Sequence, residues 1–175
     1  MTGDAGPHRQ RPAPVAPGGP ETELRGPALL ATALELAARA HTGQVDKAGN
    51  DYLAHPLRVA ARVVAAGDQA VAVALLHDVI EDSELGVEDL VAAGCPSRVA
   101  EAVDHLTRRD GEPHAEAVLR AAADPLAALV KRADLVDNLD PARLALLPET
   151  VRTRLVARYE HALTLLDAAG PPPEP

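Results

Sequence analysis

The sequence predicts an all-α fold, and its composition is the first reason. Hydrophobic residues make up 47% of the 175 residues, yet there are only two Tyr and neither Phe nor Trp. The core must therefore be built from Ala, Leu and Val, and Ala and Leu are strong helix formers. No alternation of apolar and polar residues is long enough to indicate a strand. The length favours one domain with a substantial core.

Proline-rich segments delimit this expected domain. Residues 1–22 contain five Pro and few large apolar side chains, and residues 171–175 read PPPEP. Such compositions are typical of segments that bury no core. We expect 1–22 to be a disordered leader, 23–170 to be the folded domain, and 171–175 to be a disordered tail.

About eight helices are expected within the domain. The first covers 27–41, where apolar residues recur three or four positions apart. A polar, Gly-containing stretch predicts a loop after it, and Pro56 suits the first turn of a second helix that Gly67 ends. A third helix is expected over about 69–80, and it carries the motif described below.

The second half of the chain continues the helical pattern. Pro125 suits the first turn of a helix, and Gly170 stops the last one. That last helix shows one apolar face along more than five turns. The expected segments are 87–93, 97–108, 114–123, the helix opened by Pro125, and 148–169.

Charge and cysteine content exclude several classes of protein. The net charge is −9, whereas nucleic-acid binding requires a surface rich in basic residues. The single Cys95 excludes an internal disulfide and a cysteine-based zinc site. No apolar run is long enough to span a bilayer, and no secretory signal is visible. We therefore expect a cytoplasmic protein that binds neither nucleic acid nor membranes.

The stretch ALLHDVIEDS, residues 74–83, sets His77 and Asp78 directly after an apolar run. Adjacent residues point about 100° apart around a helix, so these two converge only on a point between them. A metal ion is such a point, because imidazole nitrogen and carboxylate oxygen both suit Mn²⁺, Fe²⁺ or Zn²⁺. Glu81 and Asp82 repeat the two directions one turn later and predict an acidic layer beside the metal. The alternative is a solvated helix end, which the preceding apolar run disfavours.

Two further segments offer groups of the same character. His55 lies where the predicted loop meets the second helix. In VKRADLVDNLD, the residues Asp134, Asp137 and Asn138 recur three and four apart, so one helical face offers carboxylates and an amide. Alone, Asp134 would pair with a neighbouring basic residue. The occurrence of all three segments in one small domain favours a shared site.

Two basic features have simpler interpretations. Arg58 and Arg62 are four residues apart and could face phosphate, but we expect solvated side chains. The polar stretch TRRDGEPH, residues 107–114, fits a mobile lid bearing Arg108 and Arg109 equally as well as an ordinary surface loop.

The order of these segments resembles a known family. The pattern H-x(21)-HD, followed by K-x-A-D-x-x-x-N, is similar to the HD superfamily of metal-dependent phosphohydrolases over roughly residues 28–166. The pieces AHTGQVDKAG, YLAHPLRVA, ALLHDVIEDS, VDHLT and KRADLVDN resemble, more narrowly, the hydrolase domain of Rel/Spo alarmone enzymes and the small alarmone hydrolases. The resemblance implies a single helical bundle of the HD-domain type.

The resemblance also implies a role for each matching residue. One divalent metal, Mn²⁺ or else Fe²⁺ or Zn²⁺, would be bound by four ligands: His55, His77, Asp78 and Asp134. Glu81 and Asp82 would orient and deprotonate the attacking water or assist the leaving group. The substrate would be a nucleotide, bound by three residues: Lys47 at phosphate, Tyr52 in the pocket wall, and Asn138. The implied activity is removal of pyrophosphate from the ribose 3′ position of ppGpp and pppGpp.

The chain departs from the family pattern on the side that reads the base. Asp46 stands where the long enzymes have an Arg that packs against guanine, and a carboxylate cannot stack as a guanidinium can. Leu135 replaces another Arg, Asp137 a common His, and Asp51 a Pro. Hydrolysis at phosphate is therefore the firmer implication, and guanine specificity the weaker one.

Two alternatives stay open. The chain could be an HD phosphohydrolase of another nucleotide, such as ppApp, NADPH or a nucleoside monophosphate. It could also be an inactive alarmone-binding sensor, although two extra acids beside the HD pair would then cost stability without a use.

Overall fold

A computed structural model describes residues 23–170 of the chain. Within that range the chain is helical, with one isolated antiparallel bridge between Val45 and Asp51, so the all-α prediction is confirmed. The predicted disordered segments, 1–22 and 171–175, lie outside the described residues. Among the described helices, none has the length and apolarity that crossing a membrane requires.

The helices follow the predicted order with two differences. They are α1 (Gly26–Ala40), α2 (Ala54–Val63), α3 (Asp68–Leu76), α4 (Val79–Asp82), α5 (Val87–Ala92), α6 (Ser97–Leu106), α7 (His114–Ala122), α8 (Pro125–Asn138), α9 (Pro141–Leu144) and α10 (Glu149–Ala169). A short 3₁₀ turn, Val64–Ala66, extends α2 as far as Gly67, whose φ of 93° ends the helix as expected.

The central element is α3, which packs against α1, α2, α6 and α8. A helix that is apolar on all sides is stable only when it is surrounded. The small side chains of this helix let its neighbours approach closely. Its buried residues are Ala70, Ala72, Val73, Ala74, Leu75 and Leu76.

A second apolar cluster joins α7, α8 and α10. Leu135 is fully buried there, together with Val118 and Ala162. The position where the family has an Arg is therefore used for helix packing in this chain. It does not contribute to the wall of the pocket described below.

The predicted single helix over 69–80 is wrong in one respect, because it breaks between α3 and α4. His77 donates from its Nδ1 to the carbonyl of Ala74 at 2.8 Å. In a continuous helix that carbonyl would accept the amide of Asp78. The imidazole thus occupies the backbone acceptor, and His77 and Asp78 lie at the break.

The second difference is α9, which sequence periodicity did not predict because the helix has only four residues. Asp140 caps it by accepting the amides of Ala142 and Arg143 at 2.8 and 3.3 Å. This turn directs Arg143 back towards the end of α8.

Candidate metal centre and active-site pocket

Three elements bring the four predicted metal ligands to one place. The first turn of α2 carries His55, the α3–α4 break carries His77 and Asp78, and α8 carries Asp134. One ligand atom from each of the first three lies within 4.8 Å of the others. Asp134 Oδ1 lies 3.2 Å from His55 Nε2 and 3.9 Å from His77 Nε2. The predicted set therefore converges.

The donor atoms suit a divalent cation. His77 Nε2 is buried and has no hydrogen-bond partner among the described residues, although Asp78 Oδ2 lies 3.0 Å away. A buried polar atom without a partner is costly, and a cation between nitrogen and carboxylate would satisfy both. Burial disfavours the charged imidazole, but the carboxylate of Asp78 outweighs it and raises the pKa of His77 to about 9. A proton and a metal ion thus compete for this nitrogen.

Asp137 orients His55 through a hydrogen bond at the Nδ1 side of its ring. Its Oδ2 accepts the Nδ1–H of His55 at 2.9 Å, which leaves Nε2 facing the other ligands. The fully buried carboxylate also accepts from Arg58 Nε at 3.1 Å and from Arg143 Nη1 at 2.5 Å, while Arg62 lies 3.6 Å away. The expectation of a merely solvated side chain is therefore wrong for Arg58, whereas Arg62 is exposed as expected. The sequence signal for Asp137 was its spacing of three from Asp134.

Polar side chains fix the ligand carboxylates as well. Tyr52 donates its hydroxyl to Asp78 Oδ2 at 2.6 Å. Asn138 Nδ2 and Lys131 Nζ donate to the two oxygens of Asp134 at 2.5 and 2.8 Å. Burial opposes the charge of Lys131, but Asp134 raises its pKa, so the ammonium persists beside the centre. Tyr52 and Asn138 were predicted as substrate contacts, and in the structure each holds the carboxylate of a predicted metal ligand in position.

A cavity of about 270 Å³ opens beside this centre. Part of its wall is apolar and includes Leu144, Leu147 and Leu155. Seven of the nine predicted site residues line the cavity: Lys47, Tyr52, His55, Asp78, Glu81, Asp134 and Asn138.

The two candidate catalytic acids differ in placement. Glu81 lines the cavity, and its Oε2 accepts the backbone N–H of Arg108 at 3.2 Å. Asp82 is absent from the cavity wall and turns towards His41, with Oδ2 3.9 Å from Nδ1. Burial and the nearby charge of Asp78 raise the pKa of Asp82.

Asp46, the principal departure from the family pattern, organises the loop before α2. Its Oδ1 accepts the amides of Ala48 and Asn50 at 2.9 and 3.0 Å. Burial acts in the opposite direction, yet these donors lower the pKa of Asp46. Its Oδ2 lies 3.7 Å from Nη2 of Arg143, so an ion pair occupies the side of the cavity where the family arginine is expected.

A protein-family model described as "HD domain" matches residues 33–154. The chain belongs to the HD domain family. The resemblance found in the sequence is thereby confirmed, and all four predicted metal ligands fall within the matched residues.

Curated relatives of this HD domain are longer enzymes. The chain is 34% identical over 135 residues to a GTP pyrophosphokinase of Streptomyces coelicolor. The matched region covers 71% of this chain and 16% of the relative. It is 32% identical over 117 residues to a guanosine-3′,5′-bis(diphosphate) 3′-pyrophosphohydrolase of Aquifex aeolicus, covering 61% of this chain and 17% of the relative. The chain therefore spans about a sixth of the length of these relatives.

A solved structure shares the fold of this HD domain. It is described as a metazoan orthologue of SpoT that hydrolyses ppGpp, and it superimposes with a TM-score of 0.69. The match covers 83% of this chain and 89% of that one, at 23% identity.

Proposed function

We propose that this HD domain is a metal-dependent phosphohydrolase that releases pyrophosphate from the 3′ position of ppGpp or pppGpp. The observation that supports it most is the convergence of His55, His77, Asp78 and Asp134 at one end of a cavity that Glu81 also lines. The activities named for the relatives agree with this choice. We propose residues 23–170 as the catalytic unit, acting on a nucleotide in the cytoplasm.

The four ligands would hold one divalent cation, which we propose to be Mn²⁺, with Fe²⁺ and Zn²⁺ as ions that suit the same donors. A cation bound there would lower the pKa of the attacking water and offset the charge of the phosphate. Tyr52 and Asn138 hold the ligand carboxylates, and Lys131 adds positive charge beside them. Lys47, exposed on the loop, would meet a phosphate group.

Glu81 is the candidate general base because its carboxylate lines the cavity next to Asp78. In the proposed step, the water oxygen bonds to the phosphorus that carries the ribose 3′ oxygen, and the bond between that phosphorus and O3′ breaks. The water proton passes to Glu81, which then returns a proton to O3′ as the nucleoside 5′-diphosphate and pyrophosphate separate. Asp82 lies off the cavity wall near His41, so it would add negative charge beside Asp78 rather than contact the water.

A different nucleotide is the second candidate substrate. An ion pair between Asp46 and Arg143 stands where the resemblance implies a free arginine beside the base. The wall that would contact the base therefore differs from the family pattern, which would suit ppApp, NADPH or a nucleoside monophosphate. An alarmone-binding sensor without catalysis is disfavoured because Glu81 faces the cavity next to the metal ligands.

The test is cleavage by metal-stripped protein with and without added Mn²⁺, followed by anion-exchange chromatography of ppGpp, ppApp and NADPH. We expect GDP and pyrophosphate from ppGpp with the wild type and neither product with Asp78→Ala. Cleavage of another nucleotide alone would move the assignment to that substrate. Metal binding without cleavage of any nucleotide would favour the sensor.

A further inference from the structure

One corner of the cavity, on the side of Lys131, is lined by basic residues. They come from four different elements: Arg108 from the turn after α6, His114 from the start of α7, Lys131 from α8 and Arg158 from α10. The backbone N–H of Arg108 is bonded to Glu81, which ties this corner to the metal centre.

Two of these cations have no acidic partner within the described part of the chain. Most arginines near the cavity are paired, as with Arg58 and Arg143 on Asp137 and Arg109 on Asp104. By contrast, no carboxylate among residues 23–170 forms an ion pair with the guanidinium of Arg108 or Arg158. Both residues are exposed and line the cavity, so their side chains are available to a ligand.

The positive charges of Arg108, Lys131 and Arg158 all act on the imidazole of His114. Burial and then the positive charges of Arg158, Lys131 and Arg108 lower the pKa of His114 to about 4. The imidazole is therefore neutral at neutral pH and can donate a hydrogen bond without adding to the repulsion. Cations that face one another across a half-enclosed space are costly unless an anion offsets them.

We propose that Arg108, Lys131 and Arg158, with His114, form an anion subsite for a phosphate group other than the one being hydrolysed. Guanidinium groups bind phosphate oxygens in a bidentate way, which suits the two free arginines. The inference rests on the proposed phosphohydrolase function and narrows it. The substrate class is a nucleoside with phosphate groups at two separate positions, and a nucleoside monophosphate leaves the subsite empty.

The test compares two substrates with four variants of the full chain in Mn²⁺. The substrates are ppGpp and guanosine 3′-diphosphate, which lacks the 5′ phosphates. The variants are Arg108→Gln and Arg158→Gln, with Arg109→Gln and Arg154→Gln as matched controls. Arg109 is the adjacent residue paired with Asp104, and Arg154 lies one turn earlier on α10 and outside the cavity.

We expect either cavity variant to raise KM for ppGpp by about tenfold, since a charge-assisted hydrogen bond is lost, with little change in kcat. KM for guanosine 3′-diphosphate should stay the same, and the controls should match the wild type on both substrates. An unchanged KM for ppGpp, or equal increases with both substrates, would overturn the proposal.

A second measurement separates this proposal from the proposed function. Inorganic pyrophosphate is titrated calorimetrically into the wild type and the Arg108→Gln, Arg158→Gln double variant in chelator-containing buffer. Binding to the wild type that the double variant loses supports the subsite even if no nucleotide is cleaved. Absent binding, or equal binding to both proteins, contradicts it even if ppGpp is cleaved.

Discussion

Asp137 is a fully buried carboxylate between His55 and three arginines. Burial alone would favour its neutral form, but the hydrogen bonds from His55 and Arg58 lower the pKa of Asp137 to about 2. The group therefore stays charged at neutral pH. A permanent acceptor at Nδ1 keeps His55 in the tautomer whose Nε2 faces the metal ligands.

Replacing Asp137 with Asn should weaken metal binding by about 10–100-fold, because the charge that makes His55 a stronger ligand is lost. The measurement is a calorimetric titration of Mn²⁺ into the stripped protein. Asp167→Asn is the matched control, since that carboxylate pairs with Arg132 on the surface and is 64% exposed. Wild-type affinity in a folded Asp137→Asn protein would exclude this role.

The raised pKa of His77 predicts how the metal-free protein responds to pH. A group whose pKa is higher in the folded state stabilises the fold fully below its ordinary value of 6.5, and the contribution is lost as the pH rises towards about 9. The free energy of unfolding of the metal-free protein should therefore fall between these two values. Over the same interval, Mn²⁺ affinity should rise because the competing proton leaves.

Urea unfolding of the stripped protein at several pH values measures the first effect, and Mn²⁺ titration measures the second. The Mn²⁺-loaded protein is the control, because the metal takes the place of the proton and the loss of stability should be smaller. Stability of the metal-free protein that is flat or increasing over this range would show that His77 is not held as a cation.

At this scale the sequence predicted residues that come together at the proposed metal site, but not how Asp137 and its arginine partners support His55. The HD pair and the spacing of Asp134 and Asn138 are local patterns. His55 was a candidate because it lies where the predicted loop meets the second helix, and the resemblance then implied its role as a ligand. The partners of Asp137 are 82 residues away at His55 and 79 at Arg58, and no periodic pattern encodes such a pairing. Arg143 depends on the short α9, which was not predicted.

The helix break at His77 illustrates what element-level prediction can and cannot find. The apolar run in α3 predicts a buried helix, and its position in the centre of the fold agrees. The break arises because an imidazole takes a backbone acceptor, which depends on one side-chain rotamer. Propensity and periodicity contain no information on that choice, so the end of this helix was predicted too late.

The turn between α5 and α6 requires a glycine at position 94, because the backbone there has a positive φ. Its φ is 91°, and a Cβ at this position would lie 2.9 Å from Cγ of Leu24. Gly94 also accepts the amide of Leu24 at 2.9 Å, so the segment before α1 cannot move away freely. Gly94→Ala should therefore lower the free energy of unfolding by roughly 2–3 kcal/mol, combining backbone strain with a steric clash.

Gly111→Ala is the matched control for this prediction, measured by the same urea unfolding. Its φ is 72°, but no atom lies within 4 Å of the position of the added Cβ. It should show the backbone strain alone, of about 1–2 kcal/mol. Equal losses in the two variants would mean that Leu24 does not restrict the turn.

Across the whole molecule, the core consists of Ala, Leu and Val without a buried Phe or Trp. That composition was enough to predict an all-α protein, because Ala and Leu are strong helix formers and no long alternation of apolar and polar residues indicates a strand. It was not enough to predict two apolar clusters, one around α3 and the other between α7, α8 and α10. The cavity with the candidate site is lined by residues from both groups of helices, including Asp78 and Leu155.

The placement of the four ligands predicts that metal binding stabilises the whole domain. The ligands come from α2, the α3–α4 break and α8, so only the folded chain presents them together. A ligand that binds only the folded state adds about 2.7 kcal/mol to the free energy of unfolding at a free concentration of about 100 times its Kd. Thermal unfolding in increasing Mn²⁺ should therefore show a rising Tm in the wild type.

Two variants separate metal binding from catalysis in that experiment. Asp78→Ala should lose both the rise in Tm and the turnover, because it removes a proposed ligand. Glu81→Ala should keep the rise in Tm and lose most of the turnover, because its carboxylate lines the cavity without belonging to the ligand set. A rise in Tm of wild-type size in Asp78→Ala would place the metal elsewhere. Loss of that rise in Glu81→Ala would make Glu81 a ligand rather than the base.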